Sequence, residues 1–139
     1  MIQIICGQKG KGKTKFLLDR ANTAIKEAKG SIVFLDKSDQ HIYELNNRIR
    51  LINVTNYHVY NYDSFIGFVC GILSQDHDLE QIYIDAFLRL ADLTGKDITE
   101  AIKVLDDISD KFHTTFILSV SMNENELPEA VRDKISISL

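Results

Sequence analysis

Ile2-Gln3-Ile4-Ile5-Cys6-Gly7-Gln8-Lys9-Gly10-Lys11-Gly12-Lys13-Thr14 stands at the head of the sequence, and the fold is read outward from it. The run Ile2 to Cys6 is nearly continuous in apolar residues, the pattern of a central strand buried on both faces. Gly7 to Thr14 then fits G-x-x-x-x-G-K-[ST] without a gap. Its glycines allow the main chain positive φ, so that successive N–H groups turn inward and form an anion nest. From Thr14 to Lys29 the residues Leu17, Leu18, Ala21, Ile25 and Ala28 recur at helical spacing, and Gly30 stands where a helix C-cap would. A helix starting at Lys13 points the positive end of its dipole at the nest. That geometry lets Lys13 reach the β- and γ-phosphates of a nucleoside triphosphate, while the Thr14 hydroxyl supplies one oxygen to Mg²⁺.

Beyond this unit, strand and helix patterns alternate. Ser31 to Leu35 reads as a second buried strand closed by Asp36, so strand, helix and strand form a crossover unit of a parallel sheet. Ser38 or Asp39 caps a short helix through Asn46, with Ile42 and Leu45 facing inward. Ile49, Leu51 and Val54 mark an edge strand, and Tyr57 to Tyr62 alternates like another strand. Asp63-Ser64 caps an apolar helix from Phe65 to Leu73. Gln81 to Asp85 is a short strand, Ala86 to Leu93 is helical, and Thr94-Gly95 breaks it. Ile98 to Ile108 is a further helix, Thr114 to Val120 a strand, Glu126 to Asp133 a short helix, and Ile135 to Leu139 a last strand. The expected architecture is α/β: three layers, α/β/α, around a mainly parallel sheet of about five or six strands. The length is that of one domain, residues 1–139, with one main core.

On the strand-loop-helix residues Gly7 to Thr14 the chain resembles the P-loop NTPase superfamily, with this loop as its Walker A motif. Ile82-Tyr83-Ile84-Asp85 is an apolar strand ending in an acid, and looks like the family's Walker B element, whose Asp orients the Mg²⁺ shell. Asp63 is the alternative for that role, while Asp36 simply ends its strand. In the RecA/ASCE-like branch a glutamate usually follows the Walker B aspartate and polarises the attacking water. Here that neighbour is Ala86, which argues against fast hydrolysis. Thr115 to Ser121 resembles the branch's sensor strand, which lies between the two Walker strands; Ser119 or Ser121 would there contact the γ-phosphate or its water. Leu127 to Asp133 faintly resembles the segment that carries an arginine finger, in the person of Arg132.

The resemblance thus implies a P-loop protein that binds ATP and Mg²⁺ through Gly7, Gln8, Lys9, Gly10, Lys11, Gly12, Lys13, Thr14 and Lys15. Lys13, Asp85 and Ser119 are the catalytic residues it implies, and Thr14 and Asp85 the metal ligands. It implies slow Mg²⁺-dependent ATP hydrolysis, coupled to a protein partner or to self-association that supplies the missing catalytic group. A kinase for a nucleoside or other small molecule, with Thr55 to Asp63 lining the acceptor site, and a non-hydrolysing nucleotide switch are the alternatives. Lys9, Lys11 and Lys15 are not pattern positions, and the two within the loop, Lys9 and Lys11, add positive potential near the phosphates.

Composition narrows the field. Hydrophobic residues make up 45% and charged residues 26%, and the net charge is −4, so bulk electrostatics do not favour nucleic acid or an anionic membrane. No stretch approaches the ~20 apolar residues of a membrane helix, and no signal-peptide pattern is visible, so the expected location is cytoplasmic. Cys6 and Cys70 belong to no metal-spaced pair and read as buried, reduced thiols. His41, His58, His77 and His113 show no ligand spacing. Guanine-reading Asn-Lys-x-Asp is absent, Asp92-Leu93-Thr94-Gly95 is a chance D-x-x-G, and Tyr57, Tyr60 and Tyr62 read as sheet packing.

Overall fold

A computed structural model describes residues 1–139. Six strands, β1 (Ile2–Cys6), β2 (Ser31–Asp36), β3 (Ile49–Asn53), β4 (Leu79–Ile84), β5 (Thr115–Val120) and β6 (Ile135–Ser138), form one sheet. The order across it is β3-β2-β4-β5-β1-β6, and every pairing is parallel. Four helices cover it: α1 (Lys13–Glu27), α2 (Tyr62–Ser74), the single turn α3 (Phe87–Leu90) and α4 (Thr99–Phe112). No helix is long and apolar enough to cross a membrane.

Successive strand side chains point to opposite faces, and here both faces are apolar. Ile5, Ile32, Phe34, Tyr83 and Ile117 pack under α1. Ile4, Leu35, Ile82, Ile84 and Leu118 pack on the other face, under α2 and α4. The strands therefore read as unbroken hydrophobic runs, and the arrangement is three-layered. The chain leaves β1 through α1 on one face and leaves β4 toward α4 on the other, with β5 between them. A crevice opens at the carboxyl ends of the strands where connections part in this way.

Several local expectations give way to side-chain capping. Tyr57 to Tyr62 is no strand. Asn53 Oδ1 accepts from the Thr55 amide at 3.1 Å and turns the chain directly after β3 into a 3₁₀ turn, Val54–Tyr57. Asn61, rather than Asp63-Ser64, then caps α2, accepting from the Ser64 amide at 2.8 Å while the Ser64 hydroxyl reaches back. The period of two is overridden because these short polar side chains offer the backbone local partners. Residues 38–46 likewise hold only a 3₁₀ turn, Ile42–Glu44, with Leu45 buried and Ile42 exposed. Glu126 to Asp133 becomes two 3₁₀ turns, Glu124–Glu126 and Glu129–Lys134. Gly30 is not the cap of α1, whose C-cap is Ala28; a Cβ at Gly30 would meet the Asp78 carbonyl oxygen at 1.9 Å, so close approach of two loops requires the glycine. Cys6 is buried, but Cys70 is only half-buried on α2.

Candidate functional site

The crevice holds a cleft of about 710 Å³ whose wall contains a single hydrophobic residue, Ala86. The loop between β1 and α1 forms one side. Gly10 and Gly12 take φ of +88° and +91°, a region side-chain-bearing residues avoid, and Gly12 is the residue from which α1 starts. Gly7 is fixed differently: its amide donates to the Met122 carbonyl at 2.8 Å, and an added Cβ would press on Leu139. Lys13, almost wholly buried, lays its Nζ across the loop and donates to the Gln8 carbonyl at 3.0 Å. One of its three donors is occupied, and the others remain for an anion. Burial pulls its ammonium below the ordinary lysine value, while the charges of Asp85 and Cys6 oppose that shift.

Asp85 follows β4 and is 6% exposed. The Thr14 hydroxyl donates to its Oδ2 at 2.9 Å across 71 residues of sequence. The Ser119 hydroxyl donates to its Oδ1 at 2.5 Å and accepts from the Ala86 amide at 2.8 Å. Ala86 takes left-handed φ of 53°, which turns the chain off the strand into α3 and aims that amide at Ser119. Ser119 is thus a positioning residue for Asp85, its donor proton already engaged. Thr14 and Asp85 bring two hard oxygens together beside the lysine and the loop amides. No cluster of three or more His, Cys, Asp or Glu side chains gathers anywhere in the chain. A hydroxyl and a carboxylate are oxygen donors of the kind a hard cation could take.

A second carboxylate belongs to the cleft. Asp36, at the end of the neighbouring strand β2, is 1% exposed. The Lys37 amide donates to its Oδ1 at 2.7 Å, but its buried Oδ2 has no partner at all. Burial is the main cause raising its carboxyl above the ordinary aspartate value, and the charge of Asp85 adds to this. The Lys37 amide, His41 and the Lys37 charge pull the other way. Asp36 ends its strand, as the sequence suggests, and does so in the wall of the cleft. The signal was available: β2 and β4 both close on an acid, and parallel neighbours in a sheet deliver their carboxyl ends to one place.

Other expected residues fall on both sides of the line. Lys9, Gly10, Gly12 and Ser121 line the cleft. Lys11 is exposed away from its wall, and Lys15 pairs with Asp19 at 3.6 Å along α1. The Gln8 side chain turns outward to Glu126, so only its carbonyl serves the loop. Asp63 is exposed in the first turn of α2, outside the cleft. Arg132 donates to the carbonyls of Leu127 and Asn125 at 3.0 Å each, binding its own loop. Neither Thr55 nor any residue to Asp63 lines the cleft; Lys37, Ser38, Gln40, His41, Arg89 and Thr94 do. Thr94 comes from the D-x-x-G read as chance. A separate hollow of about 610 Å³ between β3 and α2, walled by Ile52, Tyr57, Phe68 and Ile72, contains none of the loop residues. Compared with known proteins, the chain matches no family model and no curated sequence.

Proposed function

We propose that the chain is a P-loop protein of the RecA/ASCE-like group that binds Mg²⁺ and ATP in this cleft and cleaves the terminal phosphoryl bond slowly. One observation carries the reading: Thr14 and Asp85, 71 residues apart in sequence, share a hydrogen bond at the mouth of a glycine loop spanned by a buried lysine. The position of β5 between β4 and β1 supports it, since the resemblance puts the sensor strand between the two Walker strands.

The loop amides and Lys13 Nζ bind the β- and γ-phosphates by charge-assisted hydrogen bonds, and the dipole of the 15-residue helix α1 adds to them. Mg²⁺, held by the Thr14 hydroxyl and the Asp85 carboxylate, supplies neutralisation of charge on the transferred group. Ser119 fixes the Asp85 carboxylate so that no rotamer freedom is lost when the metal arrives. A fast hydrolase also needs a group that orients and deprotonates water. Ala86 occupies the usual place of that group. With no group there to orient and deprotonate water, turnover is slow.

The test is calorimetry of ATP binding with and without magnesium, for the wild type and Asp85→Asn, together with phosphate release. The wild type binds ATP in a magnesium-dependent manner, and the variant loses about a factor of ten or more of that dependence. ATP that fails to bind the wild type rejects the reading. Equal magnesium dependence in both proteins would take the metal away from Asp85.

A further inference from the structure

We propose that the side of the cleft beyond Asp85, under the end of β2, is a subsite for a second substrate: a small hydroxyl compound bearing an anionic group, onto which the γ-phosphoryl is transferred. This rests on the nucleotide reading above and names the acceptor it lacks.

The sheet order separates the two sides. The phosphate loop follows β1, Asp85 follows β4, and β2 lies on the opposite side of β4 from β1. The wall there carries Asp36, Lys37, Ser38, His41 and, from α3, Arg89. No carboxylate lies within ion-pair distance of Lys37 or Arg89. In a chain with net charge −4, two cations left free in one cleft favour an anion. Arg89 is exposed on α3, a turn whose backbone is anchored by buried Phe87 and Leu90, with Phe87 packed edge-on against Phe65. His41, also on this wall, has its Nδ1 3.0 Å from Glu44 Oε2, which leaves Nε2 without a protein partner.

Asp36 gives the subsite its chemistry. A buried carboxylate oxygen without a partner is a destabilising feature that native chains rarely leave unanswered. Oδ2 itself is sealed from solvent, so a ligand hydroxyl answers it once the carboxyl turns toward the cleft that Asp36 lines. Burial raises its carboxyl above the ordinary aspartate value, with the Lys37 and His41 charges opposing, and a carboxylate raised in this way takes up a proton more readily than a free one. The acceptor oxygen then attacks the γ-phosphorus and forms the new P–O bond. The bond from that phosphorus to the bridging β,γ-oxygen breaks, ADP leaves with the electron pair, and the hydroxyl proton passes to Asp36. Water gains little from the same groups because it has no anionic handle for Lys37 and Arg89 to anchor. Anchoring converts a bimolecular attack into an oriented one, which is where most of the rate difference arises.

Glycerate and propionate are the probes; both carry a carboxylate, and only glycerate carries hydroxyls. With Mg²⁺ and ADP bound, NMR titration of the wild type should show glycerate binding at least about fivefold tighter than propionate. Asp36→Asn should erase that preference. Lys37→Ala and Arg89→Ala should each weaken both probes by roughly tenfold, and the variants' spectra report whether they are folded. With ATP and saturating glycerate, ³¹P NMR should reveal a new phosphate monoester. Equal affinities in the wild type, variants without effect, or inorganic phosphate as the sole product each overturn the proposal. Should the wild type fail to bind ADP, the nucleotide reading falls first and takes this one with it; ADP binding without anion binding sinks this one alone.

Discussion

Six polar side chains are buried in this protein, and they divide between the two ends of the sheet. At the amino ends of the strands sit Ser109 and Thr114. The Ser109 hydroxyl donates to the Thr114 carbonyl at 2.6 Å, and Thr114 Oγ1 donates to the Leu79 carbonyl at 2.9 Å. These groups are neutral and saturated, and they tie α4 and the entries to β4 and β5 together. At the carboxyl ends sit Lys13, Asp36, Asp85 and Ser119. Here three of the four are ionisable, and one buried oxygen is left bare. Neutral, saturated polar groups add stability. Charged, incompletely partnered ones subtract from it and persist where they serve a ligand. Under the proposed function, the contrast gives structure to one end and chemistry to the other.

The sharpest way to break that assignment is Lys13→Ala. It removes the ammonium that spans the loop, and should weaken ATP binding by about 100-fold, near 3 kcal/mol. The fold should survive, because the deleted group is one whose burial opposes folding. Calorimetry and a denaturant melt of the same variant check both halves. An unchanged affinity would strip the carboxyl end of its assigned role.

Thr114→Val probes the opposite end and should give the opposite pattern. The change keeps shape but deprives the Leu79 carbonyl of its buried donor, costing about 1–2 kcal/mol of stability. Nucleotide affinity of the folded variant should match the wild type. A variant with normal stability and altered binding would show that the two ends are coupled.

How far the sequence went follows the same division. The strand-loop-helix start was legible because glycines, lysine and threonine at fixed spacing leave few other geometries. The layered α/β class was legible because buried parallel strands are continuous apolar runs. Asp85 could be singled out since an apolar strand delivers it. Asp36 was passed over because a one-dimensional reading gives no strand order, and only the adjacency of β2 and β4 brings the two acids into one cleft. Arg89 and Lys37 were invisible for a related reason. Their importance lies in lacking partners, and partnership is a property of the folded chain. The segment Tyr57 to Tyr62 was misjudged where local capping by Asn53 and Asn61 overrode an alternating pattern.

The smallest expected effect sharpens the comparison most, since its sign is unusual. Burial and the Asp85 charge raise the Asp36 carboxyl above its ordinary value of 3.8. Between that value and the raised one, the folded chain holds a proton that the unfolded chain has released. Stability therefore falls as pH climbs through this window, and stays lower above it. Asp36→Asn has no proton to lose and should melt without that slope. At pH 4 the two proteins should nearly coincide; at pH 7 the variant should be the more stable by on the order of 1 kcal/mol. Urea melts at intervals from pH 4 to pH 8 measure it directly. A less stable variant at pH 7, or one that keeps the slope, would mean that Asp36 belongs with the saturated groups at the other end. If instead the variant gains stability while losing its preference for glycerate, the same side chain that weakens the fold is the one that holds the acceptor.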